Sequence, residues 1–184
     1  LSFIVQEGEH IESGQWDLTL IPRNIRNGEY QMWLPVSSGN NQGTRFLEPD
    51  KEFTLTIPST AENVISAGAY DVRYQSYADF SGRGDQRYGV KKPDLVAPGV
   101  GILAAAPGGG ENSLSGTSMA TPFVTGSAAL LMEWGIVRGN DPFLYGEKVK
   151  AYLRRGAREL PGFGKYPNRE VGYGALCLEN SFPK

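Results

Sequence analysis

The chain has 184 residues, of which 40% are hydrophobic and 21% charged, values typical of a globular protein rather than a disordered one. Its net charge of −2 argues against a sequence-independent nucleic-acid surface, which needs an excess of basic residues. No run approaches the roughly 18 consecutive apolar residues of a membrane span, so we expect no such span.

The first third of the chain has the pattern of short β-strands. Apolar and polar residues alternate in residues 16–20 and again in residues 53–57, which is the period of a half-buried strand. Residues 28–36 are a third candidate, with turn sequences on both sides. We therefore expect an all-β module in residues 1–57.

After residue 57 the pattern changes to alternating strands and helices. Residues 63–71 predict a buried strand, and residues 91–107 predict another with a break at Ala97-Pro98-Gly99. A helix is expected to begin near Thr117 and to run to about Trp134. This alternation indicates an α/β fold with a parallel sheet in residues 58–184.

A second helix is predicted to begin with Asp141 as its N-cap and Pro142 as its first residue. Val149, Tyr152 and Leu153 are spaced to form its apolar face.

Three further side-chain patterns carry packing predictions. The first helix has a face of small residues, which indicates close packing against a neighbour; they are Ala120, Gly126, Ser127 and Ala128. The basic residues between 148 and 158 are expected to lie on a solvated helix face. The single cysteine, Cys177, excludes an internal disulfide framework and is expected to be a small buried side chain.

The strongest candidate for chemistry is Gly116-Thr117-Ser118, where a loop becomes a helix. A serine at a helix N-terminus lies at the positive end of the macrodipole, among backbone N–H groups that can stabilise an oxyanion. Serine is also a common N-cap, so local physics alone leaves both a nucleophile and a cap open.

Three sequence blocks, in order, resemble the subtilase family of serine proteases. The blocks are ENVISAGAYD at residues 62–71, KPDLVAPGV at residues 92–100, and GTSMATP at residues 116–122, which is followed by FVTGSAALL. The last block is similar to the family's serine motif and is the most specific of the three. The resemblance implies the C-terminal part of a subtilisin-like parallel-sheet fold.

The resemblance implies roles for the residues of the last block. Ser118 would attack the scissile carbonyl, and its backbone N–H would form half of the oxyanion hole. Thr117 would add a weaker contact, and Gly116 would let the substrate backbone approach. Phe123 stands where the family commonly has a histidine that is not catalytic, so this departure affects packing. Protein or peptide substrates, no cofactor, and a location that is secreted or associated with the spore or cell envelope are also implied.

The other residues of a serine-protease triad are missing from the matching blocks. The family has aspartate, then histidine, then serine along the chain, and the one histidine, His10, lacks the His-Gly-Thr context. Asp17 and Asp50 also lack the family's surrounding pattern. Because residues 1–6 have the pattern of the middle of a strand, we expect the aspartate and the histidine to lie upstream. The chain alone is then expected to be inactive; a pseudoprotease that serves binding or signalling is the alternative.

Asn40 and Asn41 lie close to the family's spacing for the oxyanion asparagine. The sequence around them resembles clostridial subtilases of the spore-germination type, which carry an inserted jelly roll. On that alignment both asparagines lie in a hairpin turn, and the oxyanion asparagine precedes residue 1. Residues 1–57 would then end the inserted module, and residues 58–184 would end the catalytic domain.

No metal or phosphate site is predicted. The spacing of Asp79, Asp85 and Asp94 is not that of a calcium loop. The glycines at residues 108–110 are not followed by the lysine and helix of a phosphate-binding loop.

Overall fold

The computed structural model describes residues 13–34, 43–85 and 91–183. Contacts divide the chain into two compact units, Leu1–Asn41 and Gln42–Lys184. His10, Asn40 and Asn41, which the sequence analysis weighed as site residues, lie outside the described residues.

Residues 13–34 and 43–57 contain no strand, so the strands predicted there are wrong. An alternating pattern becomes a strand only where a neighbouring strand completes the hydrogen-bond ladder, and none of the described strands does so. The alternating side chains of residues 16–20 remain at least half exposed. A turn does form after Asn27, whose Oδ1 accepts a hydrogen bond from the Glu29 N–H at 3.1 Å. The inserted module of residues 1–57 stays a prediction.

The second unit contains the predicted parallel sheet. Its strands are β1 (Ala67–Asp71), β2 (Ser76–Tyr77) and β3 (Leu95–Pro98), in the spatial order β2-β1-β3. β1 and β3 are parallel, and β2 returns antiparallel to β1. β1 and β3 are both mostly apolar and buried, as the continuous hydrophobic runs indicate.

The predicted break after β3 is confirmed, but residues 102–105 are not the buried continuation that was predicted: they belong to a largely exposed hairpin in a separate sheet. The hairpin consists of β4 (Ile102–Ala105) and β5 (Glu111–Leu114), which pair antiparallel. Its turn contains three consecutive glycines at residues 108–110, each with positive φ, a conformation that other residues rarely adopt. The segment around Ala175 then lies along the other side of β3, bridged to Val96.

The longest helix, α1 (Thr117–Met132), confirms the first predicted helix and is continued by a π-helical turn, Glu133–Val137. One face of α1 packs against β1 and β3, and its buried residues recur with helical spacing: Ala120, Val124, Ser127 and Leu131. Ala120 and Ser127 therefore belong to the buried face as predicted. Gly126 lies on the exposed face, because it is one position away from that stripe.

The second predicted helix begins later than expected, as α2 (Glu147–Gly156), and Asp141 is not its N-cap. The chain turns first, and Gly146 enters the helix with φ of 52°, so residues 141–146 cannot continue it. The Asp141 carboxylate instead accepts hydrogen bonds from Lys148 Nζ at 2.6 Å and Tyr152 Oη at 3.0 Å. The apolar face is confirmed by buried Val149 and Leu153.

The chain ends with the short helix α3 (Leu178–Ser181), preceded by Cys177. The sequence predicted a buried cysteine, but Cys177 is only half-buried.

Candidate active site

Two backbone hydrogen bonds fix the start of α1 at the carboxyl ends of β1 and β3. The Gly99 N–H donates to the Tyr70 carbonyl at 3.1 Å, and the Gly116 N–H donates to the Gly99 carbonyl at 2.8 Å. The chain therefore leaves the end of β3, forms the β4–β5 hairpin and comes back to the end of β3, where α1 begins. The carboxyl edge of a parallel sheet is the usual location of ligand and active sites in α/β proteins.

Gly99 is the tightest point of this junction. A Cβ atom on Gly99 would lie 2.5 Å from the Cβ of Ala69 and 3.0 Å from the carbonyl oxygen of Gly116. These distances are shorter than van der Waals contact, so only glycine lets β1, β3 and α1 meet here. The break that the sequence shows at residues 97–99 thus has a packing cause.

Ser118 is the second residue of α1, and the N-cap position is occupied by Gly116. No side chain of the described residues caps the helix. The alternative that Ser118 serves as an N-cap is therefore wrong, and its exposed hydroxyl is available for another role. Gly116 and Thr117 beside it are half-buried.

The backbone around Ser118 offers unfilled donors. The N–H groups of Met119 and Ala120 both donate to the Gly116 carbonyl, at 3.0 and 3.3 Å. Those of Thr117 and Ser118 have no backbone acceptor within the described ranges. Free N–H groups in a first turn carry the partial positive charge of the helix, so an anion or a developing oxyanion is favoured here.

Pro122 also lies in the helix, four residues after Ser118. Because proline has no N–H, it cannot donate the usual helical hydrogen bond to the Ser118 carbonyl. One residue earlier, Thr121 Oγ1 donates to the Thr117 carbonyl at 2.9 Å, which ties the first turn together. The backbone of the first turn is thus held while the Ser118 side chain stays free.

Among the described residues, no carboxylate or imidazole hydrogen-bonds to the Ser118 side chain. Asp17 and Asp50 are both exposed, and Asp50 Oδ1 accepts a hydrogen bond from the Glu52 N–H at 2.9 Å. The described residues contain no group of three potential metal ligands.

A buried ionic cluster that sequence analysis missed lies at the opposite edge of the sheet. Asp94, fully buried, accepts from Lys92 Nζ at 2.9 Å and from Arg154 Nε at 2.7 Å, and Lys150 Nζ lies 4.0 Å away. Lys150 also donates to the Glu62 carbonyl. Asp94 precedes β3, and its Oδ2 accepts from the N–H of the residue that precedes β1, at 2.6 Å.

The cluster corrects in part the prediction that the basic residues between 148 and 158 form a solvated face: Lys148, Arg155 and Arg158 are exposed, Arg154 is half-buried and Lys150 is buried. The Lys150 side chain is only 3% exposed, because the chain folds it onto the carboxylate of Asp94. Burial lowers the pKa of Lys92, and its hydrogen bond to Asp94 opposes that shift. The sequence separation of 56 residues between Asp94 and Lys150 hides this partner from any local pattern.

Comparison with known proteins gives consistent results. A sequence profile described as the subtilase family matches residues 10–174. The serine protease AprX of Bacillus subtilis is 34% identical over 168 residues, which cover 80% of this chain and 34% of AprX. The mouse membrane-bound transcription factor site-1 protease is 35% identical, over 70% of this chain and 12% of the relative.

Solved structures give the same match. The Clostridium perfringens CspB protease is 52% identical with a TM-score of 0.73, covering 78% of this chain and 30% of CspB. The prenylagaramide maturation protease PagA is 34% identical with a TM-score of 0.59, covering 72% of this chain and 46% of PagA. The chain thus spans about a third or less of the length of these curated relatives and under half of these structures.

Proposed function

Because the chain belongs to the subtilase family, we propose that it is the part of a serine endopeptidase that supplies the nucleophile, Ser118. The observation that carries the proposal is the exposed Ser118 hydroxyl in the first turn of α1, which has no capping role. Beside it, the N–H groups of Thr117 and Ser118 lack backbone acceptors among the described residues. A hydroxyl next to unfilled donors is the arrangement that acyl transfer needs.

In the proposed reaction, Ser118 Oγ attacks the carbonyl carbon of a peptide bond, and its proton passes to a general base. The resulting oxyanion accepts a hydrogen bond from the Ser118 N–H, with a weaker contact from Thr117. Gly116 leaves room for the substrate backbone. The C–N bond then breaks as the base returns the proton to the leaving amine, and water hydrolyses the acyl-enzyme to regenerate Ser118.

The base, its orienting acid and the oxyanion asparagine are proposed to come from polypeptide outside this chain. His10 lacks the sequence context of the family's catalytic histidine. Within the described ranges no carboxylate or imidazole hydrogen-bonds to Ser118. A serine hydroxyl without a base is a poor nucleophile, and loss of the triad costs about a millionfold in kcat. The 184-residue chain by itself is therefore expected to be inactive.

The test compares peptide hydrolysis by three proteins. These are the 184-residue chain, a chimera in which the matched segment of C. perfringens CspB is replaced by the matching residues of this chain, and the same chimera with Ser118→Ala. We expect turnover only in the unsubstituted chimera. A folded chimera without turnover would contradict the proposed function, and turnover that survives Ser118→Ala would overturn Ser118 as the nucleophile.

A further inference from the structure

The buried ionic cluster around Asp94 carries more positive than negative charge. Lys92 and Arg154 hydrogen-bond to the Asp94 carboxylate, and Lys150 Nζ lies 4.0 Å from the same group. Three cations therefore share one buried carboxylate. A buried charge is costly unless it is paired, so the excess of cations favours a further anion at this place.

Lys150 is the least compensated member of the cluster. Its side chain is 3% exposed, and its one hydrogen bond among the described residues goes to the neutral carbonyl of Glu62. The carboxylates of Asp94 and Glu147 lie 4.0 and 3.8 Å from Lys150 Nζ, which is beyond hydrogen-bond distance. An ammonium group has three N–H donors, so two of them remain available to a bound group.

The pKa of Lys92 reports the same excess of positive charge. Burial lowers this pKa, Asp94 raises it, and the charges of Lys150 and Arg154 lower it further. A positive potential that disfavours a protonated lysine attracts an anion.

These cations line an open cavity of about 190 Å³, together with Lys91 and Tyr173. The Arg154 guanidinium lies over the Tyr173 ring, 5.0 Å from the ring centre, and this contact holds the guanidinium in place. The volume is several times the ~30 Å³ that one water molecule occupies. It is below the roughly 300–1,000 Å³ of pockets for larger organic ligands. The cavity therefore suits a small ion.

Two glutamates at the same cavity compete with an anion only weakly. Glu62 and Glu147 also line it, and both residues are exposed. An exposed carboxylate can turn into the solvent, whereas the side chains of Lys92 and Lys150 are held by burial. Removal of the Glu147 charge should therefore make Lys150 a better anion ligand.

We propose that this cavity binds a small, multiply charged oxyanion of the phosphate type, held by Lys91, Lys150 and Arg154. Ammonium and guanidinium groups form strong charge-assisted hydrogen bonds to such oxyanions. The site lies at the amino ends of β1 and β3, whereas the candidate active site lies at their carboxyl ends. The bound anion links α2 to the segment that precedes β3. This site goes beyond the proposed protease function and does not depend on it.

Isothermal titration calorimetry of the 184-residue chain with sodium phosphate tests the proposal. We expect one phosphate bound per chain, and no comparable signal from sodium chloride at equal ionic strength. Lys150→Gln should weaken binding at least about tenfold, the loss expected for one charge-assisted hydrogen bond. Lys91→Gln should weaken it about threefold, since an exposed ionic contact contributes less. Glu147→Gln should tighten it.

Lys165→Gln is the matched control for Lys91→Gln, because Lys165 is exposed and lies outside the cavity lining. It should leave the affinity unchanged, and a loss equal to that of Lys91→Gln would overturn the site in favour of diffuse charge attraction. Lys91 and Glu147 are exposed, so their variants decide the question even if Lys150→Gln fails to fold. No phosphate binding by the wild-type chain, or wild-type affinity in the cavity variants, also overturns the proposal.

Two further measurements fix the source of the anion and separate the two proposals. A phosphoserine peptide that binds more tightly than inorganic phosphate would overturn the assignment to a free ion. Ser118→Ala should bind phosphate with the affinity of wild type, because it lies at the opposite edge of the sheet. Phosphate binding by this chain, with no turnover in the folded chimera, would support the anion site and contradict the proposed function. Turnover without phosphate binding would do the reverse.

Discussion

The N–H of Gly116 donates a hydrogen bond of 2.8 Å to the carbonyl of Gly99, so the start of α1 is tied directly to the end of β3. This bond closes the hairpin excursion and places Ser118 at the carboxyl edge of the sheet. The position of the candidate nucleophile thus depends on a backbone contact between two glycines.

Gly99→Ala should destabilise the fold and displace the first turn of α1. The added methyl group would overlap Ala69 and the Gly116 carbonyl, and overpacking of this kind costs about 1–3 kcal/mol. Urea unfolding measures the change. Gly126→Ala is the control within the helix: its Cβ meets open space, so we expect a gain of about 0.5–1 kcal/mol from helix propensity. Equal effects of the two changes would contradict the packing account of Gly99.

Ser118→Ala should leave the free energy of unfolding of this chain within about 0.5 kcal/mol of wild type. The residue is exposed and is not the N-cap, so no capping hydrogen bond is lost. Loss of an N-cap would cost about 0.5–2 kcal/mol. Urea denaturation decides between these values, and a loss of about 1 kcal/mol or more would return Ser118 to a structural role.

Asp94→Asn should be strongly destabilising, because it leaves the charges of Lys92, Lys150 and Arg154 without their shared carboxylate. Removal of one partner from a buried ion pair costs about 3–5 kcal/mol. The matched control is Glu133→Gln, which breaks an exposed pair with Arg138 that is worth about 0–1 kcal/mol. Similar unfolding midpoints for the two variants would show that the buried cluster stabilises the fold no more than an exposed ion pair does.

The contacts of the Asp141 carboxylate predict that the stability of the fold falls at acidic pH. Its hydrogen bond from Lys148 holds the pKa of the Asp141 carboxyl below its ordinary value, with further help from Tyr152. As the pH falls, the Asp141 carboxyl therefore takes up its proton at a higher pH in the unfolded chain than in the folded one. The stabilisation of the fold by ionised Asp141 is complete above the unfolded pKa of about 3.9 and is lost as the pH falls through the folded pKa.

The stability difference between wild type and Asp141→Asn, measured by urea unfolding, should therefore be larger at about pH 6 than at about pH 3. A difference that stays constant, or grows, on acidification would contradict the assignment of Asp141 to this contact with α2.

The sequence predicted the parts of the fold that local patterns determine. Apolar runs predicted β1 and β3, and the small residues of α1 predicted that a neighbour packs closely against this helix. Two local signals failed. Asp141-Pro142 has the composition of a helix start, but a turn ending at Gly146 uses it instead. The alternation in residues 16–20 indicates a strand only if a partner strand exists, and pairing is not a local property.

The candidate site, like the fold, could be predicted from the sequence only in part. The motif around Ser118 was recognisable from the sequence because its residues are contiguous. Only the structure shows that Ser118 is not the N-cap, because Gly116 occupies that position. The burial of Lys150 depends on Asp94, far away in sequence, so charge patterning assigned it wrongly to solvent. The expectation that residues 1–57 end an inserted jelly roll stays a prediction.

The most direct test of the central claim is the position of a fluorophosphonate adduct, located by mass spectrometry of digested protein. The 184-residue chain alone should remain unlabelled, since no base activates its serine. The chimera with C. perfringens CspB should carry one adduct, on Ser118, and should lose it in Ser118→Ala. Rapid labelling of the isolated chain at Ser118, or an adduct on another serine of the chimera, would contradict the account.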